Sequence, residues 1–221
     1  MSHVPRSSRV LRRALRLAVL VVAGLVVVVV ALKLTDELFP DWRASFQRYP
    51  SARPVANGFS VSLDRLCAHP KAAARPWRYI VVHHSATAGG SAASFERYQT
   101  GAGGWDSLAY HFVIGNGTQT GDGVIEVGPR WSLQREGAHA GVPEYNERGI
   151  GICLVGDFTA QGPTPLQMRS LHALVRYLMR SYSIPLDGVL GHQECPGAAT
   201  ECPGLNFPMD QFRQSLSEPA H

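Results

Sequence analysis

Three short segments, distant along the chain, carry side chains that together suit a metal site with one open position. Val81-Val82-His83-His84-Ser85-Ala86-Thr87 places an imidazole where an apolar run ends, and Val189-Leu190-Gly191-His192 does the same. Cys202 follows within a loop of Gly, Pro and Ala that can fold back on His192. Two imidazoles and a thiolate are an N, N, S donor set for one zinc ion whose fourth position stays open to water or substrate. A zinc centre of this kind lowers the pKa of its water towards ~7 and polarises a carbonyl, which is hydrolytic chemistry. Tyr110, in Leu108-Ala109-Tyr110-His111-Phe112, adds a phenol able to donate a hydrogen bond to a developing oxyanion. Each signal alone has an ordinary structural explanation: a hydrogen-bonded histidine after a strand, a core tyrosine, a cysteine in a Pro-Gly turn. Their combination carries the inference.

Positioning such residues requires rigid elements. Tyr79-Ile80-Val81-Val82 reads as a buried strand ending at His83, and alternation along a strand sends His83 and His84 to opposite faces. Ser91 caps an expected helix to Gln99, stopped by the glycines at 101, 103 and 104. Further strands are expected over 109–114, 123–127 and 149–155, with a last one over 188–190 leading into His192. The turns Gly115-Asn116-Gly117 and Gly121-Asp122-Gly123 are not a phosphate loop, because no Gly-Lys-Ser/Thr ending or helix follows. Leu171, Leu174, Val175, Leu178 and Tyr182 repeat at helical spacing, so residues 167–182 form a long helix with one face on the sheet. A helical turn or two follows Pro208. Alternating strands and helices give an α/β fold, a central mixed β-sheet flanked by helices.

The chain has 221 residues, enough for one domain with an enclosed core plus additional segments. Arg6, Arg9, Arg12, Arg13, Arg16 and Lys33 precede the first acidic residue, Asp36; the formal total of +4 leaves residues 36–221 at −2. The basic pI therefore belongs to the N-terminus, which argues against nucleic acid as a partner of the folded domain. Behind the arginines, Leu17 to Leu32 is uncharged and apolar, spanning roughly 24 Å as a helix and extended to Leu34 if Lys33 snorkels. Residues 1–16 are expected as a basic cytoplasmic N-terminus and 17–34 as a transmembrane signal-anchor, with a cleavable signal peptide as the alternative. Either places the remainder outside the cytoplasm, in the cell envelope or secreted. Residues 35–76, rich in Pro, Ala, Arg and Ser, read as a juxtamembrane stalk with a short ordered piece at 59–67. The catalytic domain is expected over 77–216 and a tail over 217–221. With Cys202 on the metal and Cys153 a small hydrophobe in a buried strand, Cys67 and Cys195 remain as a pair, or as two free thiols.

The chain resembles the zinc-dependent N-acetylmuramoyl-L-alanine amidases, which share a fold with phage amidase-type lysozymes and peptidoglycan-recognition proteins. The matching pieces are V-V-H-H-S-A-T, L-A-Y-H-F-V-I, E-G-A-H-A-G, Y-N-E-R-G-I-G-I-C-L-V-G and the run from Gly191 to Gly204, in the family's order. The resemblance implies zinc, one per chain, on His83, His192 and Cys202, with Tyr110 and Thr200 as catalytic residues. It implies a peptide groove touched by His139 and Asn146. On their residue type and position, His139 and His111 are expected as substrate contacts or as partners orienting a ligand histidine. Glu194 and Glu201 are weaker candidates for accepting the water's proton. The substrate implied is peptidoglycan, cut between N-acetylmuramic acid and L-alanine, by a monomer held at the membrane. Rival readings are a non-catalytic peptidoglycan-binding module, a same-fold zinc hydrolase of soluble muropeptides, and a metal-free cysteine hydrolase built on Cys202 and His192.

Overall fold

A computed structural model describes residues 51–52, 59–69 and 72–217; the run 17–34 and most of the stalk lie outside these residues. The segment Tyr79-Ile80-Val81-Val82-His83-His84 is led by β-branched apolar residues and forms strand β2 (Tyr79–His84), an interior strand of a six-stranded sheet. The others are β1 (Ser51–Ala52), β3 (Phe112–Ile114), β4 (Ile125–Val127), β5 (Gly149–Leu154) and β6 (Val189–Gly191). Their order is β1-β4-β3-β5-β2-β6. β3, β5, β2 and β6 run parallel; at one edge β4 pairs antiparallel with β3, and β1 antiparallel with β4. The mixed sheet expected from the sequence is therefore present.

Period-two alternation gives the sheet two unlike faces. Ile80, Val82, Phe112, Ile114, Ile125, Val127, Ile150, Ile152, Leu154 and Val189 point into one large apolar cluster. Their neighbours Val81, His83, Val113, Glu126, Gly151, Cys153 and Leu190 alternate onto the other side, where the chemistry lies.

The apolar face is covered by α5 (Pro165–Tyr182), whose buried Leu171, Leu174, Val175 and Leu178 form the expected stripe. It begins at Pro165, two residues before the expected start at Gln167, for a capping reason. The Thr164 hydroxyl accepts from Gln167 N–H at 3.0 Å, and the Gln167 side chain accepts from Thr164 N–H at 3.1 Å. α6 (Met209–Ser217) also packs here through Met209, Phe212 and Leu216, and is longer than the sequence suggests. α1 (Phe59–Leu66) contributes Leu63 and Leu66, with Cys67 beside them, so apolar packing extends upstream of Trp77.

α2 (Ala92–Gly101) lies on the functional side, capped by Ser91 as expected, with the Glu126 carboxylate accepting from Ala92 N–H at 3.0 Å. Two short helices, α3 (Pro129–Ser132) and α4 (Pro143–Arg148), each begin with proline at the first position, where its missing N–H costs nothing. Strand β3 is shorter than expected because Ala109 leaves the ladder. Its N–H donates to the Gln99 side chain at 2.8 Å and its carbonyl accepts from Ala138 N–H at 3.1 Å. Residues 123 and 124 likewise belong to the turn, where Gly123 N–H bonds Gly115 O at 2.9 Å.

The pairing of Cys67 with Cys195 does not form. All four cysteines are free, and these two lie in separate apolar clusters. Among the described residues, no helix is long and apolar enough to cross a membrane.

The upstream helix is part of the folding unit on this packing. Leu66→Ala should lower unfolding free energy by about 2 kcal/mol in urea titration, the low end for a leucine truncation because Leu66 lies at the core's rim. An unchanged midpoint would show that α1 is not part of the cooperative core.

Candidate metal centre and active site

The carboxyl ends of parallel strands are where α/β sheets gather ligands, and both candidate histidines stand there. His83 is the penultimate residue of β2, and His192 follows β6 directly. Cys202 is brought back by its loop: Gln193 N–H donates to Cys202 O at 2.7 Å, and Cys202 N–H donates to the Thr200 hydroxyl at 3.1 Å. His84 N–H points at Cys202 Sγ at 3.4 Å, a donor aimed at the sulfur. One ligand atom from each of His83, His192 and Cys202 lies within 4.8 Å of the others.

Two short hydrogen-bond chains decide which ring nitrogens are free. The Gly149 carbonyl can only accept, so His139 carries its proton on Nε2 and donates it there at 3.2 Å. His139 Nδ1 must then accept, from His83 Nε2–H at 3.0 Å. That leaves the lone pair on His83 Nδ1, the atom 3.7 Å from Cys202 Sγ. In the second chain, His192 Nε2–H donates to the Ala140 carbonyl at 3.0 Å, freeing His192 Nδ1. Zinc–sulfur and zinc–nitrogen bonds at tetrahedral angles put sulfur and nitrogen roughly 3.6 Å apart, so the donor set fits that ion. A carbonyl or second imidazole behind each ligand histidine is the usual outer support of such a site.

Burial depresses the pKa values of His83 and His192, and for His83 the neighbouring His139, His192 and His84 act in the same direction. Both rings are therefore neutral at physiological pH, the form that ligates. Burial pushes the Cys202 thiol up to about 12, with His84 N–H pulling the other way. A thiol so desolvated is a poor nucleophile at neutral pH, which speaks against the metal-free cysteine hydrolase.

Tyr110 lies two residues before β3, its ring centroid 5.3 Å from that of His83. Burial, then the nearby Cys153 and Cys202, raise its pKa well above the ordinary phenol value, so it stays protonated and acts as a donor. Thr200 accepts the Cys202 N–H and keeps its own hydroxyl proton to give elsewhere.

Other sequence expectations meet different surroundings. His111 is completely buried: Gly151 N–H donates to its Nδ1 at 2.9 Å, and its Nε2–H donates to Arg135 O at 3.0 Å. Both nitrogens are occupied by backbone, so His111 is not a substrate contact, and it does not touch a ligand histidine through either nitrogen. His139 is also buried, with both nitrogens engaged, and its partner is His83. Asn146 accepts from Ala140 N–H at 2.8 Å. Glu194 is not a free base. Arg213 donates to both its oxygens at 2.7 and 2.9 Å, and Gly191 N–H donates at 2.7 Å. Glu201 is exposed beside the ligand cysteine.

Several supporting residues escaped sequence reasoning. A Cβ at Gly151 or Gly137 would lie 2.3 Å from His139 Cδ2, so both glycines make room for that ring. The alternation Gly149-Ile150-Gly151 was the available signal. Buried Arg130 donates to Leu108 O and Glu136 O, each at 2.8 Å, and pairs with Asp106, clamping the segments that carry Tyr110 and His139. Cys153, opposite His83 in the β2–β5 register, lies on the functional face near Tyr110 and Cys202.

The molecule is thus an α/β domain with a His, His, Cys centre at the carboxyl ends of its parallel strands and a protonated phenol beside it. Residues 73–205 match the N-acetylmuramoyl-L-alanine amidase family, and the chain belongs to that family. The amidase LysC of Clostridium intestinale URNW superposes with a TM-score of 0.55 and 31% identity, covering 68% of this chain and 99% of that one. A Drosophila PGRP-LB point mutant, solved in complex with tracheal cytotoxin, gives a TM-score of 0.51 and 27% identity, covering 66% of this chain and 85% of that one. In sequence, a pig N-acetylmuramoyl-L-alanine amidase is 29% identical over 152 residues, 61% of this chain. Drosophila peptidoglycan-recognition protein LB is 34% identical over 102 residues, 46% of this chain. The match spans only 23% and 39% of those two relatives' own lengths.

With both histidines already neutral, Cys202 is the ligand that must lose a proton on metal binding. Because burial holds that proton up to about 12, apparent zinc affinity should rise close to tenfold per pH unit between pH 6.5 and 8.5. Chelator competition across that range measures the slope, and a flat profile would remove Cys202 from the ligand set.

Proposed function

We propose that this protein is a zinc-dependent amidase that hydrolyses the bond between the lactyl group of N-acetylmuramic acid and L-alanine in peptidoglycan. The observation that supports it most is the convergence of one donor atom from each of His83, His192 and Cys202 within 4.8 Å, with Nδ1 of both histidines left unprotonated by their hydrogen bonds, beside a protonated Tyr110. Membership of the amidase family supplies the reaction class. The PGRP-LB variant above, solved in complex with tracheal cytotoxin, favours a muramyl peptide as substrate.

In this reading His83, His192 and Cys202 hold one zinc per chain. When bound, zinc activates water and polarises the scissile carbonyl. Tyr110, kept as a phenol by its burial, donates a hydrogen bond to the carbonyl oxygen as negative charge builds there. Thr200 orients by donating its hydroxyl proton and does not serve as a base; Glu194 is withheld by Arg213.

Incubation of purified protein with peptidoglycan, followed by mass spectrometry, tests the reaction. Released stem peptides with a free L-alanine amino terminus are expected. Cys202→Ala should abolish release together with zinc. Tyr110→Phe should keep zinc and lose about 100–1,000-fold in kcat, the effect of deleting one oxyanion donor. Zinc-loaded protein that binds but never cleaves muramyl peptides would instead make it a recognition module.

We further infer that the chain acts in the cell envelope. The five arginines ahead of the apolar run 17–34 fit an anchor whose C-terminal side lies outside the cytoplasm. Because β1 and α1 belong to the folded domain, the tether between that run and the domain is at most residues 35–50, averaging roughly 20–24 Å end to end if flexible. Removal of residues 1–35 should shift the protein from the membrane to the soluble fraction; retention in the membrane pellet would refute the anchor.

A further inference from the structure

Neither ligand histidine fixes its own orientation; two consecutive residues of one loop, His139 and Ala140, do so for both. His139 reaches His83 with its side chain, and Ala140 reaches His192 with its carbonyl. The loop belongs to no helix or strand, so its own backbone groups must find partners elsewhere. One residue of α4 supplies two of them. The Asn146 side-chain Oδ1 accepts from Ala140 N–H at 2.8 Å, and the Asn146 backbone carbonyl accepts from Gly137 N–H at 2.9 Å.

Asn146 is itself held. Its N–H donates to Val142 O at 3.1 Å, and the adjacent Tyr145 packs with Ala140, Val81 and Cys195 in one buried cluster. Ala140 is therefore pinned through its N–H by Asn146 and through its side chain by that cluster, and its carbonyl is aimed at His192. Releasing the N–H would let the peptide on either side of Ala140 rotate and leave His192 free to turn its ring.

We propose that Asn146 is a positioning residue of the metal centre, holding Ala140 so that His192 presents Nδ1 to the ion, and is not a substrate contact. This rests on the zinc site proposed above but not on amide hydrolysis. The part Asn146 plays is that of an acceptor, so aspartate, which keeps an oxygen at that position, can replace it, whereas leucine of similar size cannot.

The test uses the full chain and the variants Asn146→Leu and Asn146→Asp. Zinc affinity is read by chelator competition, the coordination sphere by the absorption spectrum of the cobalt-substituted protein, and KM on a muramyl peptide at saturating zinc. Leucine should weaken zinc about 10–100-fold and alter the cobalt spectrum, as loss of an outer support does. Aspartate should retain zinc affinity within a few-fold and keep the wild-type spectrum, and KM should not change. Wild-type zinc affinity in the leucine variant, or a raised KM with affinity intact, would overturn the proposal. If the leucine variant fails to fold, a tenfold loss of zinc in the aspartate variant overturns it equally. Wild-type protein that binds zinc but cleaves nothing would end the amidase reading and leave this inference standing; wild-type protein that binds no zinc would end both.

Discussion

The carbonyl of Gly149 decides which nitrogen of His83 is available. It can only accept, so it sets the tautomer of His139, and His139 in turn sets the tautomer of His83. This chain needs the His139 ring to lie against β5, which is feasible only because Gly151 and Gly137 present no side chain to it. It also needs β2 and β5 in the observed parallel register, with Tyr79 opposite Gly149 and His83 opposite Cys153. Slipping the register by one residue would turn His83 into the apolar cluster and leave the triad without its first member.

The two faces of the sheet carry separate duties. One is uniformly aliphatic and aromatic, and its burial against α5, α6 and α1 supplies the bulk of the hydrophobic driving force. The other holds buried polar groups, each of which would be costly if unpaired. His83, His111 and His139 avoid that cost through backbone and imidazole partners, and Glu126 through the first N–H of α2. Burial then keeps these histidines uncharged, so one arrangement satisfies hydrogen bonding and prepares neutral donors.

Much of this was legible in the sequence, and the reason is periodicity. The apolar run at Tyr79–Val82 and the stripe from Leu171 to Leu178 each had a single reasonable reading, and the alternation at His83-His84 separated the ligand from its neighbour. What the sequence concealed depends on contacts between distant segments. His111 adjoins Tyr110 in the sequence, yet it is completely buried and both its ring nitrogens are taken by backbone groups of distant segments. Nothing local distinguishes Arg130 from a surface arginine, although it is buried and bridges two loops. The short β3 was overextended because a glutamine side chain ten residues upstream takes the N–H that a strand partner would have used.

The last helix has a consequence beyond its packing. Phe212 and Leu216 close the apolar core from α6, while the intervening Arg213 holds Glu194, and Glu194 holds Gly191 N–H immediately before His192. One short helix thus joins the apolar core to the segment that carries His192. Losing Arg213 would leave the Glu194 carboxylate without its cation beside that segment while Phe212 and Leu216 stay packed. A charge-removing substitution in α6 therefore reaches the turn before His192 through electrostatics and not through packing.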